Sequence, residues 1–546
     1  MKRSARPTAP PSSTRTGPRS HRSLVRTAAA GLVAGATLIG AAWAGVVSVP
    51  GGAVGDLAGD LPVEDGTTSG PGDGGVQSPT AEPTGLLVGA AKASIAPRPG
   101  DYGGTWETDA EACRTLDPGY LAQLGASPGD VAHLASVTSP WPENPNCIYQ
   151  GGFGLGPMNP VSSFDSELGL WARSLAIGDG TNTIVLTIVD GEGWMWDYAT
   201  KCDDCGAKQL ASDLGAELGI DPAGIVLAAT HSHAAPDFVG GWGFVPDWYM
   251  RQVTDTIRAT VRDAVASMEP AVVEVGEVTA RGFNRERRDT YRSAETQQAT
   301  WLRAYVPGDR VIATLGAYAA HPTTMGNNGG VAHADWPGVF ERSLEDRFGG
   351  IGFHFMTGLG NMSPSNDTGH GLAALVPPVG TGTPVATPEI SVARTTWRQP
   401  ATNVPLTALG LPGFFDRKFV QLPGFVSAGK SSTAPCVSAS AVSVEVAVSA
   451  FRIGDELAIT TGPGELFSNL TNTIVEQSPA LVTMPLSQAN DALGYMPQSF
   501  ELNPVGQQGL GFVAGGYLVV NYEDSYAIDR CFGDMALETT LGLLRG

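Results

Sequence analysis

The chain has 546 residues, 42% of them hydrophobic, and a formal net charge of −21 at pH 7. This length and apolar content suffice for one large core or two medium ones, and they exclude a chain that is disordered throughout. The excess of acidic residues argues against a nucleic-acid partner, because phosphate backbones are bound by basic surfaces.

The N-terminal segment 1–44 has the layout of an export signal. Its first 26 residues hold seven lysines or arginines and no acid, and an uncharged run follows from Ala28 to Val49. Small residues at Ala42 and Ala44 suit cleavage after Ala44 by a signal peptidase. The run is also long enough to remain as an uncleaved membrane anchor. Under either alternative we expect a secreted or extracytoplasmic protein.

The next segment, 45–85, is rich in Gly, Pro, Ser, Thr and acidic residues. It has too few large apolar side chains to bury a core, so it is predicted to be a disordered linker. Residues 86–546 are then expected to form one large catalytic domain, and no internal repeat is recognisable in them.

The six cysteines of an exported chain are expected to form disulfides. One pairing, among the fifteen that six cysteines allow, joins Cys113 to Cys147, Cys202 to Cys205, and Cys436 to Cys531. The close pair at 202 and 205 could also be half of a zinc knuckle, but no second close pair completes four ligands.

Strand and helix patterns alternate along the predicted domain. Continuous apolar runs at 183–190 and 224–229 are typical of strands that are covered on both faces. Apolar residues spaced by four predict helices over 207–219 and 247–268. Further strands are predicted at 86–96, 271–278, 300–306, 311–319, 442–448 and 456–461. This pattern predicts a mixed α/β (α+β) fold of layered mixed β-sheets flanked by helices.

The segment 369–435 does not show this alternation of strand and helix patterns. It is rich in Pro, Thr, Gly and Ser and shows no clear period. It is predicted to be a long irregular insertion, which either covers or frames a site or makes a surface excursion.

Two histidines directly follow the predicted strand that ends at residue 229. In an extended segment side chains at i and i+2 share a face, so His231 and His233 are expected to point into one pocket. Strand ends commonly carry the sites of α/β enzymes. This pair suits a divalent metal, or one ligand and one proton carrier, although two ordinary polar loop residues would give the same pattern.

Three later residues are further candidates for a metal site. His321 ends another predicted strand, and Pro322 biases it towards an extended backbone. Glu465 lies at a strand-to-helix turn, where a carboxylate is favoured near the helix N-terminus, and Tyr495 lies in a turn-like segment. Taken alone, the glutamate could be a capping residue and the tyrosine a packed aromatic.

A series of short fragments recurs in one order along the chain. They are Gly-Gly-Phe-Gly at 151–154, Leu-Trp-Ala-Arg-Ser-Leu at 170–175, Ala-Thr-His-Ser-His-Ala-Ala-Pro at 229–236, Asn-Arg at 284–285, Ala-Ala-His-Pro-Thr at 319–323, Asp-Trp-Pro-Gly at 335–338, Gly-Asn-Met-Ser-Pro at 360–364, Gly-Pro-Gly-Glu at 462–465 and Asn-Asp-Ala-Leu-Gly-Tyr at 490–495. Between about residues 87 and 534 the chain thereby resembles the neutral, non-lysosomal ceramidases.

The resemblance implies one catalytic zinc ion per chain, held by His231, His321, Glu465 and Tyr495. It also implies catalytic or pocket roles for His233, Arg285, Ser363 and Tyr522, with Tyr517 as the alternative to Tyr522. Ser363 could act as a nucleophile or orient water and substrate. Because no Gly-x-Ser-x-Gly elbow surrounds it, we favour the orienting role.

The activity implied is zinc-dependent hydrolysis of a linear amide C–N bond, in ceramide or a related N-acyl lipid, by metal-activated water. Such a substrate would be met at a membrane surface, and the oligomeric state is left open. Two alternatives remain at this stage. One is a metallo-hydrolase of another amide or ester, such as a cell-envelope acyl group, and the other is a surface protein that binds metal without turnover.

Overall fold

The computed structural model describes residues 85–113, 146–153, 157, 159–288, 294–365, 367–403, 406–407, 410–411, 415–428, 436–502 and 522–546. The predicted export segment 1–44 and residues 45–84 of the predicted linker lie outside these ranges. Within them, no helix has the length and apolar character needed to span a membrane.

The first sheet begins the described part of the chain. Its main strands are β1 (Leu87–Ser94), β2 (Trp171–Gly178), β3 (Thr183–Val189) and β4 (Ile225–Ala229). The pairs β1–β2 and β2–β3 are antiparallel, whereas β3–β4 is parallel. A parallel pair needs a crossover, which is helix α1 (Ala207–Leu218). This helix and α2 (Asp247–Ala266) pack on one face of the sheet.

The second sheet has the same order of strands. They are β5 (Val272–Thr279), β6 (Gln298–Val306), β7 (Arg310–Tyr318) and β8 (Ile351–Met356). Pairs β5–β6 and β6–β7 are antiparallel, and β7–β8 is parallel. Helix α3 (Asp335–Phe348) makes the crossover, and it packs with α4 (Thr368–Leu375) against the sheet through Trp336, Phe340 and Leu372.

The third sheet follows the same plan with one added strand. Its strands are β9 (Ile390–Pro400), β10 (Val420–Ala428), β11 (Ser438–Ile453), β12 (Leu457–Thr461) and β13 (Val482–Leu486). Strand β11 pairs antiparallel with β9, β10 and β12, and β12–β13 is parallel. Helix α5 (Ser468–Gln477) is the crossover, and α6 (Phe532–Arg545) packs beside it.

The three sheets therefore repeat one topology, in which antiparallel steps lead to a helical crossover and a parallel edge strand. One buried cluster takes side chains from all of them, including Leu186, Leu315 and Ile459. The sheets share this core and carry their helices on the opposite faces, which explains the continuous apolar runs in the sequence. The predicted architecture of layered mixed sheets flanked by helices is confirmed.

Most predicted elements begin and end within a few residues of the observed ones. The helix predicted over 207–219 spans Ala207–Leu218, and the strand predicted over 311–319 spans Arg310–Tyr318. The largest difference in length is β11, where the prediction of 442–448 covers less than half of Ser438–Ile453. Its outer residues pair with β9 and β10, which are remote partners that a local pattern does not reveal.

The segment 369–435 is more regular than its composition indicates. It contains the end of α4 and the strands β9 and β10, and β9 pairs with β11 over its whole length. Residues along β9 are partly exposed on both faces, so the strand lacks a clear apolar alternation. The connection between β9 and β10, residues 401–419, is called the strap below.

The structure joins Cys113 to Cys147, Cys202 to Cys205 and Cys436 to Cys531. These are the three pairs predicted. The disulfide between Cys202 and Cys205 excludes the zinc-knuckle alternative, because its thiolates are not available as ligands.

Candidate metal centre and adjoining cavity

In each of the three sheets, a predicted metal ligand follows the carboxyl end of one strand of the parallel pair, and these strand ends lie at one site. His231 follows β4, His321 follows β7, and Glu465 follows β12. The segments after the partner strands β3, β8 and β13 supply Glu192, Met362 and Tyr495, respectively. Because parallel strands present their carboxyl ends at one edge, the repeated topology gathers residues that lie far apart in sequence.

Backbone carbonyls orient the two buried imidazoles. Nδ1 of His231 donates to the carbonyl of Glu192 at 2.7 Å, and Nδ1 of His321 lies 3.3 Å from the carbonyl of Met362. The Nε2 atoms then face one carboxylate: Oε2 of Glu465 is 3.0 Å from Nε2 of His321 and 3.6 Å from Nε2 of His231. Such second contacts fix the ring orientation of metal-binding histidines.

The spacing of these atoms fits a zinc ion. The 3.6 Å separation leaves His231 Nε2 without a hydrogen bond to any described residue, although the atom is buried. Zinc holds nitrogen and oxygen ligands at about 2.0–2.2 Å, so two ligands of one ion lie roughly 3–4 Å apart. Tyr495 adds a phenol on the strand that pairs in register with Glu465, and both residues are buried.

The electrostatics of the site also favour a bound cation. Burial lowers the pKa of His231, but the carboxylates of Glu465 and Glu192 raise it to about 9. Burial raises the pKa of Glu465, yet its two histidine neighbours hold it below the usual range. Burial and Arg287 lower the pKa of His321 to about 4. In the metal-free centre His231 thus keeps a proton next to the ionised carboxylate of Glu465. A bound metal ion would supply positive charge at the same position.

His233 completes a trio of histidines. Its ring centroid lies 5.1 Å from that of His231 and 5.8 Å from that of His321, and one ligand atom from each ring lies within 4.8 Å of the others. The trio is therefore a second ligand set that could hold a metal. Burial, with the neighbouring histidines, lowers the pKa of His233 well below its usual value.

The backbone at this histidine pair differs from the extended segment predicted. His231 has a φ of 58°, a left-handed conformation that is uncommon for a residue with a side chain and is often found at functional sites. Gly152 allows its own loop to pack closely against His233, since a β-carbon on Gly152 would lie 2.4 Å from Cβ of His233. The rings nevertheless share one pocket, as expected.

Arg287, which sequence reasoning missed, reaches the predicted ligands. Its guanidinium donates to the Tyr495 hydroxyl at 3.1 Å and pairs with Glu523 at 2.8 Å. By contrast, the side chain of Arg285 is exposed, and this residue lies opposite Ser363 in a two-stranded ribbon. The sequence could have indicated it through the three nearby arginines at 285, 287 and 288. The family resemblance pointed to Arg285 instead of Arg287.

Ser363 lies in the short strand Met362–Pro364, next to the carbonyl that orients His321. Among the described residues, no histidine or carboxylate hydrogen-bonds to its hydroxyl. Tyr522 opens the helical turn Tyr522–Ser525, but its side chain, like Tyr517, lies outside the described part of the chain.

A cavity of about 410 Å³ adjoins the candidate metal centre. His231, His233, Glu465 and Tyr495 line one part of it, and apolar side chains line most of the rest. The strap contributes Leu406, Phe415, Arg417 and Phe419 to the wall. The segment 369–435 was expected either to cover or frame a site or to make a surface excursion. The strap, which belongs to this segment, frames the cavity. A largely apolar pocket with a few polar groups at one end suits a small ligand with an apolar portion.

Comparisons with known proteins identify the fold. No model of a known protein family matches the chain, and no curated protein shows significant sequence similarity to it. The crystal structure of neutral ceramidase from Pseudomonas aeruginosa is similar, with a TM-score of 0.55 and 16% identity over 85% of this chain and 75% of that one. A ceramidase complexed with C2 gives a TM-score of 0.53 and 15% identity over 85% and 76% of the two chains. The chain therefore has the fold of the neutral ceramidase structures.

Proposed function

We propose that this protein is an exported zinc-dependent amidase that hydrolyses the N-acyl amide bond of ceramide or a related N-acyl lipid. Three features support the proposal: a donor set suited to zinc, an apolar cavity beside it, and a fold similar to ceramidase structures. The three disulfides agree with export, because such bonds persist in oxidising compartments.

The observation that carries the proposal is the convergence of two histidines on one carboxylate. His231 and His321 present Nε2 to Glu465, while backbone carbonyls occupy their Nδ1 atoms. These three residues, with Tyr495, would hold one zinc ion. The trio that includes His233 is the alternative ligand set, but we favour the first because His233 is then left to carry a proton.

Bound zinc would supply a Lewis acid that polarises an amide carbonyl and acidifies water. His233 lines the cavity beside the proposed ligands, so its neutral ring can accept a proton from water and return it to the leaving amine. Arg287 fixes the Tyr495 hydroxyl through its 3.1 Å hydrogen bond. Arg285, Ser363 and Tyr522 remain proposed contacts to substrate, and Ser363 is assigned an orienting role.

The test combines metal content with hydrolysis. Purified protein is analysed for zinc and assayed for fatty-acid release from N-acyl sphingosines, N-acyl peptides, amino-sugar amides and simple esters. We expect about one zinc per chain and preference for the N-acyl lipids. His231→Ala should lose both zinc and activity, whereas His233→Ala should retain zinc and lose about 100-fold or more in kcat.

The matched control is His370→Ala, because His370 is exposed and hydrogen-bonds to Ser343 rather than to the centre. It should retain zinc and activity. Zinc loss in His233→Ala would favour the histidine trio as the ligand set. Hydrolysis that persists after metal removal would reject the mechanism, and bound zinc without turnover of any substrate would favour a non-catalytic metal-binding protein.

A further inference from the structure

A short buried segment connects the two loops that carry the predicted histidine ligands. It comprises residues 333–336, the start of α3 and the two residues before it, and is called the linking segment below. His333 and Asp335 are fully buried, and Trp336 is nearly so. Asp-Trp-Pro-Gly at 335–338 is also one of the fragments that recur in the family, but none of the roles assigned so far falls on it.

The linking segment holds the loop after β7 at several points. The buried carboxylate of Asp335 accepts hydrogen bonds from the backbone N–H groups of Thr324 and Met325, at 3.0 and 2.8 Å, and from the Thr324 hydroxyl at 2.7 Å. The indole N–H of Trp336 donates to the backbone carbonyl of His321 at 3.1 Å. The position of His321 therefore depends on where α3 begins.

His333, in the same segment, is bonded to both loops. Its Nδ1 accepts a hydrogen bond from the backbone N–H of Asp335 at 3.2 Å, so its Nε2 carries the hydrogen and donates to the Gly326 carbonyl at 3.0 Å. Its backbone carbonyl accepts from the Ser232 hydroxyl at 2.8 Å, and its backbone N–H donates to the Ala234 carbonyl at 3.4 Å. Ser232 and Ala234 belong to the loop after β4, so one buried residue joins the two loops.

The backbone of the linking segment is strained. Asp335 has a φ of 55°, a left-handed conformation that costs free energy in a residue with a side chain and persists only where the surroundings over-determine it. His231, on the first of the two loops, has a similar φ of 58°. Tertiary contacts rather than local preference therefore set the backbone at both positions.

The two histidine ligands need such a connection because they come from different sheets. His231 follows β4 of the first sheet, and His321 follows β7 of the second. A direct hydrogen bond between the loops, from the backbone N–H of His233 to the Pro322 carbonyl, is long at 3.4 Å. Zinc holds nitrogen ligands at about 2.0–2.1 Å, and a functional site has to be held within about 0.5 Å of its productive geometry. A segment that is bonded to both loops supplies this precision.

We infer that His333, Asp335 and Trp336 are positioning residues, which fix the separation of His231 and His321 so that both reach one metal ion. Both histidines belong to either ligand set considered above, so the inference does not depend on the choice between the sets. It rests on the metal centre of the proposed function, but not on the identity of the substrate. The three residues act through the loops and take no part in bond breaking.

The experiment removes contacts from each side of the connection. Ser232→Ala deletes the hydroxyl that bonds to the His333 carbonyl, and His333→Phe keeps a ring but removes its hydrogen bonds to Asp335 and Gly326. Each should weaken zinc binding about tenfold or more in competition with a chelator, within the range for loss of groups that orient metal ligands. Cobalt(II) bound in place of zinc should show a changed visible absorption spectrum, because that spectrum reports the geometry of the ligands.

Two matched controls make the same substitutions elsewhere in the core. Ser174→Ala removes a buried hydroxyl that bonds to Thr187 and Thr260 within the first sheet and α2. His354→Phe replaces another fully buried histidine, which packs on Trp336 with ring centroids 4.4 Å apart but whose ring makes no hydrogen bond to any described residue. Both controls should keep the zinc affinity and the cobalt spectrum of the wild type, whatever their effect on the denaturation midpoint.

Wild-type zinc affinity and an unchanged cobalt spectrum in both test variants would overturn the inference. Equal losses of affinity in test and control variants would also overturn it, because affinity would then follow general stability. If His333→Phe does not fold, the comparison of Ser232→Ala with Ser174→Ala decides, since each removes a single hydroxyl. Failure of the proposed function is a separate outcome: a protein whose test variants lose zinc affinity, but which hydrolyses no N-acyl substrate, would keep the positioning role and lose the amidase assignment.

Discussion

At the scale of single residues, the candidate centre depends on what occupies the second nitrogen of each imidazole. Carbonyls of Glu192 and Met362 take the Nδ1 atoms of His231 and His321, so both Nε2 atoms are directed to Glu465. Burial lowers the pKa of both histidines, but the carboxylates of Glu465 and Glu192 raise that of His231 to about 9, whereas Arg287 helps to lower that of His321 to about 4. His231 therefore carries a proton in the metal-free centre at neutral pH.

This proton predicts a pH dependence of zinc affinity. Below about pH 9, His231 is protonated in the metal-free protein, and a histidine must be neutral to bind a metal. Zinc binding should release this proton, so affinity should rise about tenfold per pH unit from pH 7 towards pH 9 and then level off. Competition with a chelator at pH 7 and pH 8 measures the change, and equal affinities at both values would contradict the assignment of His231 as a ligand.

At the scale of elements, the strap forms one wall of the cavity, and polar contacts hold it in place. Asp416 accepts hydrogen bonds from the backbone N–H groups of Thr200 and Lys201 at 2.9 and 2.7 Å, and the buried Arg417 pairs with Asp491. These contacts hold one wall of the cavity against the segments that follow β3 and β13. The strap is thus positioned by polar contacts, while Phe415 and Phe419 supply apolar surface.

Removal of the strap's buried cation should be costly. Arg417→Met leaves the carboxylate of Asp491 buried without its partner, and breaking a buried ion pair in this way costs about 3–5 kcal/mol in the free energy of unfolding. Denaturant unfolding measures the loss. The double variant Arg417→Met with Asp491→Asn should recover part of it, because the buried charge is then removed.

The matched control for this substitution is Arg342→Met, which breaks an exposed pair with Asp346. Exposed pairs contribute little to stability. If Arg342→Met destabilised the protein as much as Arg417→Met does, the buried pair would not be what anchors the strap.

At the scale of the whole molecule, three sheets of one topology share a core and direct their parallel edges to one site. The C-terminal helix α6 packs on the third sheet, and the Cys436–Cys531 disulfide links it to the start of β11. This bond closes a loop with a sequence separation of 95, whereas Cys202–Cys205 has a separation of 3. Longer closed loops restrict the unfolded chain more strongly.

The two disulfides should therefore differ in their contribution to stability. Replacing Cys436 and Cys531 with alanine should lower the free energy of unfolding by about 2–5 kcal/mol, and the same change at Cys202 and Cys205 should cost less. Denaturant unfolding without reductant compares the two double variants. Equal losses would show that chain closure is not the main effect of the long-range bond.

Much of the site was predictable because its residues follow recognisable strands. His231, His321 and Glu465 were identified from strand ends and turns in the sequence, and the structure brings their side chains together. Arg287 carried no comparable signal. Its importance depends on a contact across 208 residues, the hydrogen bond from its guanidinium to Tyr495, which local patterns cannot reveal.

The sequence by itself determined the kind and approximate bounds of most elements. Strands buried on both faces appear as continuous apolar runs, and helices that pack on one side appear as apolar residues spaced by three or four, so both can be recognised locally. It also determined the acidic character of the chain and its disulfide-forming composition. Only the tertiary structure decided that three segments without recognisable sequence similarity share one topology, that the strap forms one wall of the cavity, and that Arg287 reaches Tyr495. These properties arise from pairing between distant segments, and the free energy of such pairing depends on the assembled chain rather than on any short stretch of residues.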